Sequence, residues 1–312
     1  MKRNIDLSNK ITCLVPTYSI VAYDHSTGDL GVAVQSRYFS VGPIVPWAEA
    51  DVGAIATQSF ANVSYGPRGL QLLKEGLTCK EVIARLTSAD EGREHRQLGI
   101  VDAEGNAAAY TGTKCLKWAG SKVGKCYSAQ GNILANRHVV EKMTRKFEFT
   151  KGDLANRLVV ALEAGEKAGG DARGRQSAAL LVVRKNAGRG NYGDKFIELR
   201  VEDNPDPIKE LKRLLKIHRV YYLIDDAESK FTGGDPERAV LCIKEALKIN
   251  PRNDDAYLDL GLMYLRLERT SEAVNALRKA LDINPKMSTV IKQLSKLGIT
   301  KIPESLLEKL QI

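Results

Sequence analysis

The chain has 312 residues, carries 47 Lys and Arg against 38 Asp and Glu for a formal charge of +9, and is 43% hydrophobic. These proportions exclude a disordered chain, a collagen-like chain and a coiled-coil rod, and the length suits two domains at roughly 100–200 residues each. No stretch approaches the ~18 consecutive apolar residues of a membrane span. The five cysteines (Cys13, Cys79, Cys115, Cys126 and Cys242) are odd in number and widely spaced, which reads as reduced thiols in a cytoplasmic compartment.

Residues 1–16 read as a leader. Its apolar patch, Ile11 to Val15, is too short for a secretory core. The run Thr17 to Tyr23 is β-like, and the turn Asp24 to Asp29 leads to a hairpin partner over Leu30 to Ser36. Val52 to Gln58 predicts a third strand, whose small residues fit a sheet covered closely on both faces. Pro67 followed by Leu70, Leu72 and Leu73 marks a helix, and Val82, Ile83 and Leu86 mark another. Strands over Gln97 to Val101 and Ala107 to Thr111 flank a turn, and Tyr127 to Gln130 predicts a strand ending at Gly131 and Asn132. Helices are expected at about 132–147 and 152–167, then strands at Ser177 to Val183 and Phe196 to Val201, joined by a long hairpin loop. Such segregated runs of strands and helices predict an α+β fold of two sheets with helices outside.

The remainder is a helical repeat. Asn250-Pro251 recurs as Asn284-Pro285 thirty-four positions later, in step with Ala239/Ala273, Val240/Val274, Ala246/Ala280, Leu247/Leu281 and Ile249/Ile283. Gly261, Ala273 and Ala280 allow close helix packing, and a proline follows each second helix. This pattern resembles the tetratricopeptide repeat. One repeat spans about 217–250, a second about 251–284, and an incomplete third begins at Lys286. A helix from about Pro207 to Lys230 leads in, and Pro303 to Leu310 reads as a capping helix. The resemblance implies a protein partner or self-association through these helices; the alternative is a structural appendage.

The charge is uneven: residues 1–200 carry net +8 and residues 201–312 net +1. The basic excess of the first domain reads as a solvated surface; the alternative is an acidic ligand, which would then belong with that domain. No basic run is interleaved with aromatics as a stacking platform requires, so nucleic acid is not expected as a partner, and neither is a membrane. No cofactor or metal is expected. His25, His95, His138 and His218 lack paired metal spacing, and no C-x-x-C occurs. Gly120 to Cys126 imitates a phosphate loop but has Cys126 where a magnesium-binding hydroxyl belongs, and no G-x-S-x-G elbow is present.

Several segments together carry a second resemblance: Thr17-Tyr-Ser-Ile-Val-Ala22, Gly31-Val-Ala-Val34, Val45-Pro-Trp-Ala-Glu49, Gly53-Ala-Ile-Ala-Thr-Gln58, Trp118-Ala-Gly120, Gln130-Gly-Asn132 and Gly174-Arg-Gln-Ser-Ala-Ala179. They resemble the uncharacterised prokaryotic domain-of-unknown-function family 1028, placed in the N-terminal-nucleophile hydrolase superfamily. The resemblance implies a four-layer α/β/β/α sandwich over 17–203, followed by repeats over 204–312, and hydrolysis of a small amide or peptide-like substrate. It implies Thr17 as nucleophile and base, its Oγ attacking a carbonyl and its free α-amine taking the proton. Asn132 and the Gly131 amide would serve a developing oxyanion, although Asn132 is also placed to cap a helix. Arg37, Asp171 and Ser177 would adjust the amine, and Gln58 and Asn62 would line a pocket or cap a strand. The chain departs from the family in its sixteen-residue leader, in Pro16 before Thr17, and in having no lysine within Val45 to Glu49. The alternative reading is an inactive scaffold or binding protein that keeps the fold without the free amine.

Overall fold

The computed structural model describes residues 14–188, 190, 192–298 and 302–312, so most of the leader, with Cys13, lies outside the described residues. The chain divides into a unit ending at Leu214 and a unit from Leu215 to Ile312.

In the first unit, β1 (Leu14–Val15), β4 (Pro46–Glu49), β5 (Gly53–Phe60), β6 (Arg96–Asp102) and β7 (Ala107–Thr111) form one antiparallel sheet. Its order is β1-β5-β6-β7, with β4 also on β5. A second antiparallel sheet contains β2 (Thr17–Asp24), β3 (Asp29–Ser36), β8 (Gly120–Gly124), β9 (Tyr127–Gly131), β10 (Ser177–Val183) and β11 (Lys195–Val201), in the order β11-β10-β3-β2-β9-β8. The β2–β3 hairpin closes at the Asp24–Asp29 pair, where the Asp24 carboxylate accepts from the Ser26 N–H and hydroxyl. That local bond sets the register of the whole hairpin.

Alternation then sorts the side chains. In β5 and β6, Ile55, Leu98 and Ile100 pack with Leu70 of α1 (Tyr65–Lys74) and Val82 and Leu86 of α2 (Cys79–Ser88). Ala54, Ala56 and Val101 point the other way and share a buried cluster with Val21, Leu30, Val32 and Val34 of the second sheet. The opposite face of β2 carries Tyr18, whose hydroxyl donates to Glu166 on α4 (Leu154–Lys167) at 2.8 Å. α4 packs against β2 and β3, and α3 (His138–Phe149) packs against α4, β8 and β9. Helix starts follow local chemistry: Thr78 and Glu81 form a capping box for α2, and Asp153 caps α4.

Two expectations need correction. The helix expected from about 132 begins at His138, because the backbone bends after β9, with Ile133 at φ 50° and Leu134 bridged to Asp171. The N–H groups of Asn132, Ile133 and Leu134 donate to the carbonyls of Thr17, Leu116 and Trp118. Asn132 therefore does not cap α3, whose N-cap position is Arg137. The false phosphate loop contains a strand, β8, paired with β9.

The second unit contains the later part of α5 (Pro207–Thr232), then α6 (Pro236–Ile249), α7 (Asp254–Arg266), α8 (Thr270–Ile283), α9 (Met287–Lys296) and α10 (Glu304–Leu310). Asp235 and Asn253 cap α6 and α7 by accepting from the N–H groups three residues on. Ala239, Ala246, Ala273 and Ala280 are fully buried. A Cβ at Gly261 would lie 2.6 Å from Leu277, so α7 and α8 approach closely only with glycine there. No helix among the described residues is long and apolar enough to cross a membrane.

Candidate active site at the Pro16–Thr17 junction

The hairpin register places Thr17 opposite Ser36, and Ser36 opposite Ser177 on β10. On the other side of β2, Asn132 donates its N–H to the Thr17 carbonyl at 3.0 Å. Ser177, Ser36, Thr17 and Asn132 thus form one polar row across the end of the second sheet, and all four are fully buried.

The chain before Thr17 changes sheets here. Leu14 and Val15 pair with Phe60 and Ser59 of β5, whereas Thr17 opens β2 in the facing sheet. The Pro16–Thr17 peptide bond therefore bridges the two sheets at the polar row. The Pro16 carbonyl accepts from Ser36 Oγ at 2.5 Å and from Arg173 Nη2 at 3.2 Å. Thr17 Oγ donates to the Val15 carbonyl at 2.8 Å.

Asp171 fixes Arg173. Its carboxylate accepts from Arg173 Nη2 at 2.7 Å, Arg173 Nε at 3.0 Å, the Arg173 N–H at 2.9 Å and the Arg37 N–H at 3.2 Å. The Asp171 side chain is fully buried, and such a two-pronged pair holds a guanidinium in a single orientation.

Behind the row lies a network of amides between the sheets. Gln97 Oε1 accepts from Gln58 Nε2 at 2.8 Å and Asn132 Nδ2 at 2.9 Å, while Gln97 Nε2 donates to the Gly131 carbonyl and Thr111 Oγ1. Ser19 Oγ donates to Gln58 Oε1 at 2.6 Å and accepts from Gln130 Nε2 at 2.7 Å. A Cβ at Gly99 would lie 2.1 Å from Gln130 Oε1, so glycine is required for this close approach. Asn132 Oδ1 is buried and has no hydrogen-bond partner among the described residues.

The residues singled out in the sequence meet in part. Thr17, Asn132, Asp171 and Ser177 converge on this end. Ser177 Oγ, however, donates to the Tyr38 carbonyl and accepts from the Val41 N–H, which commits it to the turn after β3. The Arg37 side chain is exposed and donates to Gln176; the cation that reaches the Pro16 carbonyl is Arg173. Gln58 joins the amide network. Asn62 instead accepts from Ser64 ahead of α1 and donates to Asp90. Burial would raise the Asp90 carboxyl, but hydrogen bonds from Arg96, Tyr65, Asn62 and the Gly92 N–H hold it well below its ordinary range. Sequence reasoning missed Ser36, Gln97 and Arg173. Ser36 was within reach by counting back from the Asp24–Asp29 turn; Arg173 was not, because a loop carries it.

These observations define a class: an α+β domain of two antiparallel sheets with a buried polar end, followed by helical repeats. The chain belongs to the family of unknown function DUF1028, whose family model matches residues 17–211. A tetratricopeptide repeat model matches residues 231–295, a repeat class that suggests protein–protein interaction. The crystal structure of protein SPO2555 from Silicibacter pomeroyi, also of DUF1028, is similar with a TM-score of 0.59 and 33% identity, covering 65% of this chain and 88% of that one. No curated protein matches the chain.

Proposed function

We propose that the first domain, residues 17–203, is a cytoplasmic N-terminal-nucleophile hydrolase of the four-layer α/β/β/α type. It acts on an amide or peptide-like bond, and residues 204–312 serve as its protein-interaction module. The observation that carries this reading is the environment of the Pro16–Thr17 bond: a threonine opening a sheet, preceded by a carbonyl that accepts from a hydroxyl and a guanidinium.

The chemistry follows from those positions. Thr17 Oγ attacks the Pro16 carbonyl carbon. The charge that develops on the carbonyl oxygen is met by Ser36 Oγ and Arg173, donors already in place. The C–N bond breaks, the Thr17 nitrogen takes the hydroxyl proton, and an ester joins Pro16 to Thr17 Oγ. Water hydrolyses this ester, releasing the segment that ends in a Pro16 carboxylate and leaving a free Thr17 amine. That amine, with a reference pKa of about 7.7–8.0, then serves as base for later substrates. Asn132 Oδ1, an acceptor without a donor, is suited to hold an amine proton. Asp171 acts through Arg173 as a positioning residue, while Ser36 and Arg173 take the oxyanion role that the sequence assigned to Asn132 and Gly131.

The second reading, an inactive binding protein, draws on the burial of both Pro16 and Thr17, which shields the bond from solvent. Intact mass and N-terminal sequencing separate the two. Under the hydrolase reading the purified protein begins at Thr17, and Thr17→Ala keeps its leader and loses all amidase activity. A wild-type chain that stays uncut on prolonged incubation refutes self-cleavage.

A further inference from the structure

We infer that the cleft occupied by Leu14, Val15 and Pro16 is the acyl-side recognition site of the mature protein, and that it takes extended peptides in which a small branched apolar residue and then proline precede the scissile bond. This rests on the hydrolase reading above.

The segment is seated as a bound peptide would be. It adds to the edge of β5 by antiparallel pairing, Leu14 with Phe60 and Val15 with Ser59, while β4 covers the other end of β5 from Gly53 to Ala56. Strand addition of this kind binds through main-chain hydrogen bonds and reads sequence through pockets for alternate side chains. The pocket here is that of Val15, fully buried in the same apolar cluster as Val41, Val45 and Ala61. Pro16 is buried next to it, with its carbonyl between Ser36 Oγ and Arg173 Nη2. Leu14, only half-buried, contributes less selectivity.

Release of the segment would leave a free stretch of β5 edge, an apolar hole of valine size and two fixed donors. All three would lose their partners together. A peptide ending in Val-Pro restores each of them, whereas an acid at the valine position would bury an unpaired charge. In the matching reaction Thr17 Oγ attacks the proline carbonyl, the amine leaves with the hydroxyl proton, and water hydrolyses the ester to a proline carboxylate.

The test uses a fluorescein-labelled Ile-Thr-Cys-Leu-Val-Pro amide and its Val→Asp counterpart, read by anisotropy. Two proteins are compared: the chain beginning at Thr17, and full-length Thr17→Ala, whose own segment stays in place. Binding of the valine peptide to the chain beginning at Thr17, about ten-fold or more tighter than the aspartate peptide and absent from full-length Thr17→Ala, supports the inference. Equal binding of both peptides, equal binding to both proteins, or no binding overturns it. Cleavage of acetyl-Leu-Val-Pro-7-amido-4-methylcoumarin is followed separately. Selective binding without cleavage refutes the hydrolase reading but leaves the cleft assignment standing. Self-cleavage without peptide binding does the reverse.

Discussion

In the first unit Thr17, Ser19, Ser36, Gln58, Gln97, Gln130, Asn132, Asp171 and Ser177 are all buried; in the second, Asn253 is the buried polar side chain among the described residues, and it caps a helix. The repeats bury alanine, leucine and valine along their seams and leave their polar groups outside. Their interior serves packing, so any recognition falls to the surface. A buried amide network has a different logic. Its net contribution to stability is small, since matched apolar groups of the same shape would do about as well, but leaving one partner unmet costs about 1–3 kcal/mol. Such a network fixes geometry more than it adds stability. In this chain it fixes the end of the sheet where the Pro16–Thr17 bond lies.

That contrast breaks most readily at Gln97. Replacing it by Leu removes the acceptor of Gln58 Nε2 and Asn132 Nδ2 and takes away the donor that the Gly131 carbonyl accepts from. Gln97→Leu should destabilise the first unit by about 3 kcal/mol, the sum of more than one unmet partner. Both tryptophans, Trp47 and Trp118, belong to that unit, so urea unfolding followed by tryptophan fluorescence reports it directly. Unchanged stability would mean that the network is dispensable. In the second unit the sensitive point is steric. Gly261→Val places atoms against Leu277, where a Cβ alone would already lie at 2.6 Å, and should cost about 2 kcal/mol by overpacking. Amide hydrogen exchange in peptides from α7 and α8 measures the loss, and protection equal to that of wild type would show that the seam gives way.

The same contrast explains what the sequence made legible. The repeat unit was readable because its packing is local: a thirty-four-residue period, small residues at contact points and a proline after each second helix all lie within one stretch of chain. The strands of the first unit were mostly readable too, by alternation and turn chemistry. The site was readable in part: the family resemblance pointed to Thr17, Asn132, Asp171 and Ser177, and Ser36 was within reach from the register of the hairpin. Arg173 depends on a loop held by Asp171, and Gln97 meets Gln58 across adjacent strands and Asn132 across the sheet interface. No local pattern encodes contacts of that kind. Asn132 shows the opposite error: a residue suited to capping lies well ahead of α3, where its N–H is held by the carbonyl of Thr17.

The smallest effect tests whether the surface of the repeats is tuned for something other than stability. Burial, with Asp255 and Glu228 nearby, pushes the Asp259 carboxyl up to about 6, against a lowering contribution from Arg266. An unfolded aspartate titrates near ~3.9. Between those values the folded unit holds a proton that the unfolded chain has released. Stability from this group is therefore fully present below pH ~4, falls as pH rises through about 6, and stays lost at neutral pH. Asp259→Asn removes the penalty. It should stabilise the second unit by about 1–2 kcal/mol at pH 7, less than the full shift implies because the side chain is only half-buried, and by almost nothing at pH 4. Hydrogen exchange of α7 at the two pH values reads the difference. An equal gain at both would assign the effect to helix propensity or packing, whereas a gain confined to neutral pH would show a charged surface kept at the expense of stability.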